Sequence, residues 1–152
     1  MEPVFEAIGR PEDEIVVFGR SVGSMFALEM ARRHPGLAGL IVESGIADPL
    51  ERLRVRVRPE ELGVTDEELA AAAEERLDHR RKLEGFRGRM LVMHAADDSL
   101  LHVGHGKRLA AWGPEGRTDL VVFPSGDHNG IMAENMHAYW NRIRSFVEGL
   151  GG

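Results

Sequence analysis

Three kinds of side chain in this sequence could together turn a hydroxyl into a nucleophile. Gly19-Arg20-Ser21-Val22-Gly23 sets a serine between a short apolar run and a helix-length segment, where a tight strand-to-helix turn can present its hydroxyl. Such a turn holds its central residue in a strained conformation. Small residues are therefore needed two positions before and after it, so that strand and helix can approach; Gly19 and Gly23 are placed to meet that need. The same turn points a helix N-terminus at the serine, which makes the Val22 backbone amide a donor to an oxyanion. A serine attacks poorly until an imidazole takes its proton, and the imidazole needs a carboxylate to fix its tautomer and stabilise its charged form. His94-Ala95-Ala96-Asp97-Asp98 offers two carboxylates, and Pro124-Ser125-Gly126-Asp127-His128-Asn129-Gly130 offers the imidazole. The chemistry this allows is attack on an acyl carbonyl, with Ser21 as nucleophile, His128 as general base and Asp97 or Asp98 as the orienting acid. A bare G-x-S-x-G also describes a glycine-bearing turn with no catalysis. The order Ser, Asp, His after successive strands is the more specific signal.

His94, His102 and His105 cluster in sequence with the two aspartates and raise the alternative of a metal site. Zinc ligands come as tight pairs with a further anchor, and His102 and His105 at i, i+3 near a helix start lack that setting. No metal or cofactor is expected, because serine, imidazole and carboxylate suffice for acyl transfer. His94 is expected to pack under the loop that carries the acid. His34, His79 and His137 fall in helical stretches and read as surface or boundary residues.

The elements that must position these groups alternate. Ile15 to Phe18, Leu37 to Val42, Met90 to Met93 and Leu120 to Phe123 are short continuous apolar runs, as expected of parallel strands covered on both faces. Between them lie helical stretches, beginning with Val22 to His34, which closes on Arg32 and Arg33 and stops at Pro35-Gly36. The α/β pattern implies a parallel sheet of about four strands with right-handed crossovers and helices on both faces. In the long excursion 44–88, Asp48 with Pro49 and Glu51, and Thr65 with Glu68, carry the signatures of helix starts. The alanine-rich Glu67 to Leu83 predicts one helix, and Ile131 to Val147 predicts a last one with an apolar stripe. Gly149 to Gly152 reads as a frayed tail. One domain, residues 1–152, accounts for the chain.

Read together, GRSVGS, IVESG, LVMHAADDSLLHVGHG and PSGDHNGI resemble the α/β-hydrolase superfamily, especially its small bacterial esterase-like members, over nearly the whole chain. The resemblance implies Ser21 as nucleophile, Asp98 as acid by its spacing from His94, and His128 as base. It departs from the family at Ala95, where glycine is common, and at His102, where proline is common; neither position carries the chemistry. A complete enzyme of this kind has a larger sheet, whose earlier strands supply the second oxyanion amide. With so few residues before Ile15, the chain reads as the C-terminal half of such a fold, with 44–88 as its cap. Two functions follow as expectations: a serine hydrolase acting on a small-molecule ester or related acyl substrate, or an inactive truncated remnant serving as an interaction module. The first strand would expose an apolar edge, through which two copies could pair as a homo-dimer.

Composition narrows the partners. The 152 residues suffice for a sizeable core. A net charge of -6 disfavours a nucleic-acid backbone as partner. The one dense basic stretch, Arg52 to Arg58, alternates with apolar residues and reads as a solvated helix face. No apolar run is long enough to span a bilayer, and Met1 to Arg10 lacks the pattern of a secretory signal. The absence of cysteine excludes a thiol nucleophile and suits a reducing cytoplasm.

Overall fold

The computed structural model describes Phe5 and residues 7–151. Part of the segment read for a secretory signal, residues 1–4 and 6, and the last residue of the glycine tail, Gly152, lie outside the described residues. Four strands, β1 (Val16–Arg20), β2 (Gly39–Glu43), β3 (Arg89–Ala95) and β4 (Thr118–Phe123), form one sheet in the order β1-β2-β3-β4, and every pairing is parallel. Arg20 is in register with Glu43, and Glu43 with Met93, so the strands reach a common carboxyl edge. Loops leaving that edge carry Ser21, Asp98 and His128.

The central strands β2 and β3 are mostly apolar and buried because each serves two cores. Leu40, Val42, Met90 and Val92 pack with Ala27, Leu28 and Ala31 of α1 (Gly23–Arg33) and with Leu109 of α5 (Gly104–Trp112). Ile41, Leu91 and Met93 face the other way, onto Tyr139 and Phe146 of α7 (Met136–Glu148). Leu28, Leu40, Met90 and Leu109 are fully buried, each contributing on the order of 1.5–3 kcal/mol by leaving water. This is the layered α/β arrangement the alternation implied. At the edges the cover thins: Phe18 of β1 is 46% exposed, and β1 pairs only with β2 among the described residues.

Between β2 and β3 run α2 (Pro49–Arg54), α3 (Asp66–Leu77) and α4 (His79–Leu83). Both expected caps are formed. The Asp48 side chain accepts from the Glu51 amide, and Thr65 and Glu68 bond reciprocally. Two helices expected to be continuous are broken. Asp78 is extended, and its carboxylate accepts from the Arg81 amide at 3.0 Å, ending α3 and starting α4. Asn135 separates α6 (Ile131–Glu134) from α7, its amide donating to the Ser125 and Ile131 carbonyls at 2.8 Å each. In both cases a short polar side chain binds backbone groups that a continuous helix would leave to its ladder. Where a frayed tail was expected, Gly149–Gly151 form a 3-10 turn, with the Gly149 carbonyl accepting from Arg89 at 3.2 Å.

Candidate active site

Ser21 is the residue after β1. Its amide donates to the Glu43 carbonyl at 3.0 Å, and its φ is +50°. The left-handed conformation costs an L-residue roughly 1–2 kcal/mol, and it turns the hydroxyl outward from the sheet edge. A Cβ added at Gly19 would lie 2.5 Å from the Ala27 Cβ and 2.8 Å from the Gly23 carbonyl oxygen, so strand and helix do meet as tightly as the motif requires. Gly23 departs from the expectation: a Cβ there would meet nothing within 4 Å among the described residues, so packing does not demand glycine at that position. Ser24 secures the turn instead, donating to the Ser21 carbonyl at 2.6 Å and accepting from the Ile46 amide at 3.0 Å. Val22 caps α1, so its amide is among those a helix leaves without a carbonyl partner of its own.

The structure brings Ser21, His128 and Asp98 together. His128 Nε2 is 2.8 Å from Ser21 Oγ, and His128 Nδ1 is 2.8 Å from Asp98 Oδ2. Asp98 is buried and Asp97 exposed. The second Asp98 oxygen accepts from the Leu100 and Leu101 amides at 3.1 and 2.8 Å, which fixes the orientation of the carboxylate. A carboxylate only accepts, so the proton sits on Nδ1 and Nε2 is left to accept from the serine hydroxyl. The His128 loop is itself held. Asp127 accepts from the Asn129 and Gly130 amides at 2.9 and 2.6 Å, bonds that hold its carboxyl below the ordinary range, Gly130 contributing most. Gly126 takes φ +88°, and a Cβ there would come 2.9 Å from the Ile131 Cα.

A second polar chain escaped the reading of the sequence. Arg20 donates through Nε to Glu43 Oε1 at 2.8 Å, and through Nη2 to the His128 carbonyl at 2.6 Å and Asn129 Oδ1 at 2.9 Å. Glu43 is 3% exposed, and its other oxygen accepts from the Tyr139 hydroxyl. Burial, and then the bond to Glu43, push the Tyr139 phenol above its ordinary range. The only hint in the sequence was a charge of each sign closing two neighbouring apolar strands.

The remaining histidines go separate ways. His94 lies under the acid loop, where Nε2 donates to the Leu101 carbonyl at 2.7 Å, and burial lowers its pKa. His105 Nδ1 accepts from the Ala47 amide at 3.2 Å, with Glu51 3.4 Å from Nε2, and burial lowers its pKa too. His102 accepts from the Gly104 amide, and among the described residues no three His, Cys, Asp or Glu form a group able to hold a metal ion. His137 is exposed, and His34 pairs with Glu12 at 2.6 Å. His79 is no surface residue. It is 1% exposed with neither ring nitrogen hydrogen-bonded, and burial, aided by Lys82, lowers its pKa to about 4.

A cavity of about 480 Å³ opens beside Ser21 and His128, within the size range of small-molecule sites. Its walls are mostly apolar, including Met25, Ile46, Leu53, Leu77 and Leu100. Larger cavities lie elsewhere, one of about 680 Å³ along α1 and α3, but Ser21, Asp98 and His128 do not line it.

Comparison with known proteins agrees with this fold. No family model matches the chain. It is 27% identical over 140 residues to the alpha/beta hydrolase domain-containing protein aho-3 of Caenorhabditis elegans, a match covering 92% of this chain and 38% of that protein. It superposes on the esterase RhEst1 of Rhodococcus sp. ECU1013 with a TM-score of 0.67 at 20% identity, covering 97% of this chain and 69% of that one. The monoacylglycerol lipase of Paleococcus ferrophilus gives 0.66 at 14% identity, covering 98% and 71%. The chain has a partial α/β-hydrolase fold and a homologue among the alpha/beta hydrolase domain-containing proteins. It spans 38% of the length of that homologue.

Proposed function

We propose that the chain is a serine hydrolase that cleaves an ester or related acyl bond. The reading rests above all on one observation, the run of bonds from Ser21 through His128 to Asp98 at the mouth of an apolar cavity. Ser21 Oγ attacks the acyl carbon while His128 Nε2 takes its proton, and the carbonyl becomes an oxyanion facing the Val22 amide. Collapse breaks the bond to the leaving group, which departs as the alcohol after receiving that proton from the imidazolium. Water then adds to the acyl-serine, giving its proton to His128, and the acid leaves as Ser21 recovers the proton. Asp98 holds the imidazole and its transient charge throughout. Ester and water become acid and alcohol, and no group outside these residues takes part in the proton balance.

The esterase and lipase neighbours support the choice of an acyl substrate. Absence of cysteine supports a cytoplasmic setting. Among the described residues no helix is long and apolar enough to cross a membrane. A fluorophosphonate should phosphonylate Ser21 with loss of fluoride, and Ser21→Ala should abolish labelling while lowering p-nitrophenyl ester turnover by about 10³-fold or more. Equal turnover by the native chain and Ser21→Ala would overturn the reading in favour of an inactive remnant.

A further inference from the structure

The basic run Arg52-Leu53-Arg54-Val55-Arg56-Val57-Arg58 is sorted by the fold into two sets. Arg54 pairs with Asp66, and Arg58 with Glu61 at 3.2 Å, both on the outer side of the excursion. Arg52 and Arg56, one helical turn apart, line the cavity beside Ser21. Neither side chain makes a hydrogen bond or ion pair with another described residue, and among the described residues no carboxylate lines that cavity. The arrangement is unusual for a chain of net charge -6, in which carboxylates outnumber cations and Arg54, Arg58 and Arg108 have all found one. The expected solvated face holds for Arg54, Arg56 and Arg58, which are exposed, while Arg52 is half-buried.

Two like charges one turn apart repel each other, and an anion bound between the half-buried Arg52 and the exposed Arg56 would relieve that repulsion. A guanidinium presents a planar fork of donors that matches a carboxylate. On this basis we propose that Arg52 and Arg56 form a subsite for a carboxylate carried by the substrate, so that the preferred ester is one whose far end is anionic. The inference rests on the reading of Ser21 as nucleophile, and it adds the substrate class. The apolar walls of the same cavity, with Leu53 and Leu77 among them, suit an aliphatic spacer, and the volume of about 480 Å³ suits a small molecule.

The test separates binding from turnover. Calorimetric titration of the full chain carrying Ser21→Ala, which cannot acylate, would compare monomethyl octanedioate with dimethyl octanedioate. The anionic monoester should bind at least tenfold more tightly, with a preference that shrinks as salt is raised. Adding Arg52→Gln and Arg56→Gln should bring the two affinities within about twofold, and Arg52→Lys with Arg56→Lys should retain part of the preference, which guards against misfolding of the glutamine variant. Equal affinities in the Ser21→Ala chain, no detectable binding of the monoester at millimolar concentration, or a preference that survives both glutamine substitutions would each overturn the subsite. Failure of the native chain to hydrolyse p-nitrophenyl esters while the anion preference stands would instead sink the hydrolase reading.

Discussion

Arg20 ties the loop bearing His128 to the buried carboxylate of Glu43, so one side chain serves both stability and the position of the imidazole. Arg20→Met would leave Glu43 with only the Tyr139 hydroxyl. Stranding a buried charge costs about 3–5 kcal/mol, but the Arg20 side chain is 40% exposed and water can replace part of it. A loss of about 2 kcal/mol is expected, read as a fall in Tm of roughly 4–8 °C. Loosening of the imidazole should also lower kcat by about 10- to 100-fold with little change in KM, partly restored in Arg20→Lys. An unchanged kcat beside a lowered Tm would leave Arg20 a purely structural residue. At this scale Ser21, Asp98 and His128 were legible because motif and chain order are written along the sequence. The Arg20-Glu43-Tyr139 chain was not, because its members lie 23 and 96 positions apart and are joined only by strand register and by the packing of α7.

Elements were legible where their cause is local. Four apolar runs, two caps and the crossovers between them follow from periodicity and from side chains that bond within three residues. The breaks at Asp78 and Asn135 were hidden, since each sits in a stretch whose composition favours helix, and Asn135 is held by Ser125, ten positions away. The turn at Ser21 shows the same limit, because the motif asks for two small residues and the packing enforces one. Gly19→Ala would drive a methyl group against Ala27 and the backbone of α1, with an expected cost of about 2–3 kcal/mol from overpacking. Gly23→Ala enters open space at a helix start and should be neutral or stabilising by up to about 1 kcal/mol. Urea unfolding of the two variants checks the contrast, and equal losses would show that the turn itself, not the Ala27 contact, selects glycine.

Over the whole molecule, the sequence revealed the sheet, the edge left at β1 and the packing of His94 under the acid loop, but not that His79 and His105 are buried as well. His79, His94 and His105 are each under 3% exposed, and burial lowers the pKa of all three. A histidine whose pKa is lower folded than unfolded binds its proton more readily in the unfolded chain. Its contribution is therefore fully present above the ordinary value of 6.5, and is lost as pH falls toward the folded value. For His79, held at about 4, the window runs from pH 6.5 down to 4, and the loss across it is on the order of 3 kcal/mol. Glu29, lowered to about 2 chiefly by Arg32, adds acid sensitivity only below its ordinary 4.5, so the two windows barely overlap. Thermal unfolding measured from pH 7.5 to 4 should show Tm falling steadily below 6.5. His79→Leu leaves no ring nitrogen to protonate and breaks no hydrogen bond, so it should flatten the curve between pH 6.5 and 4.5. An unchanged slope in that variant would assign the acid sensitivity to His94 and His105, whose protonation would disturb the loop that carries Asp98 and the contact between α5 and Ala47.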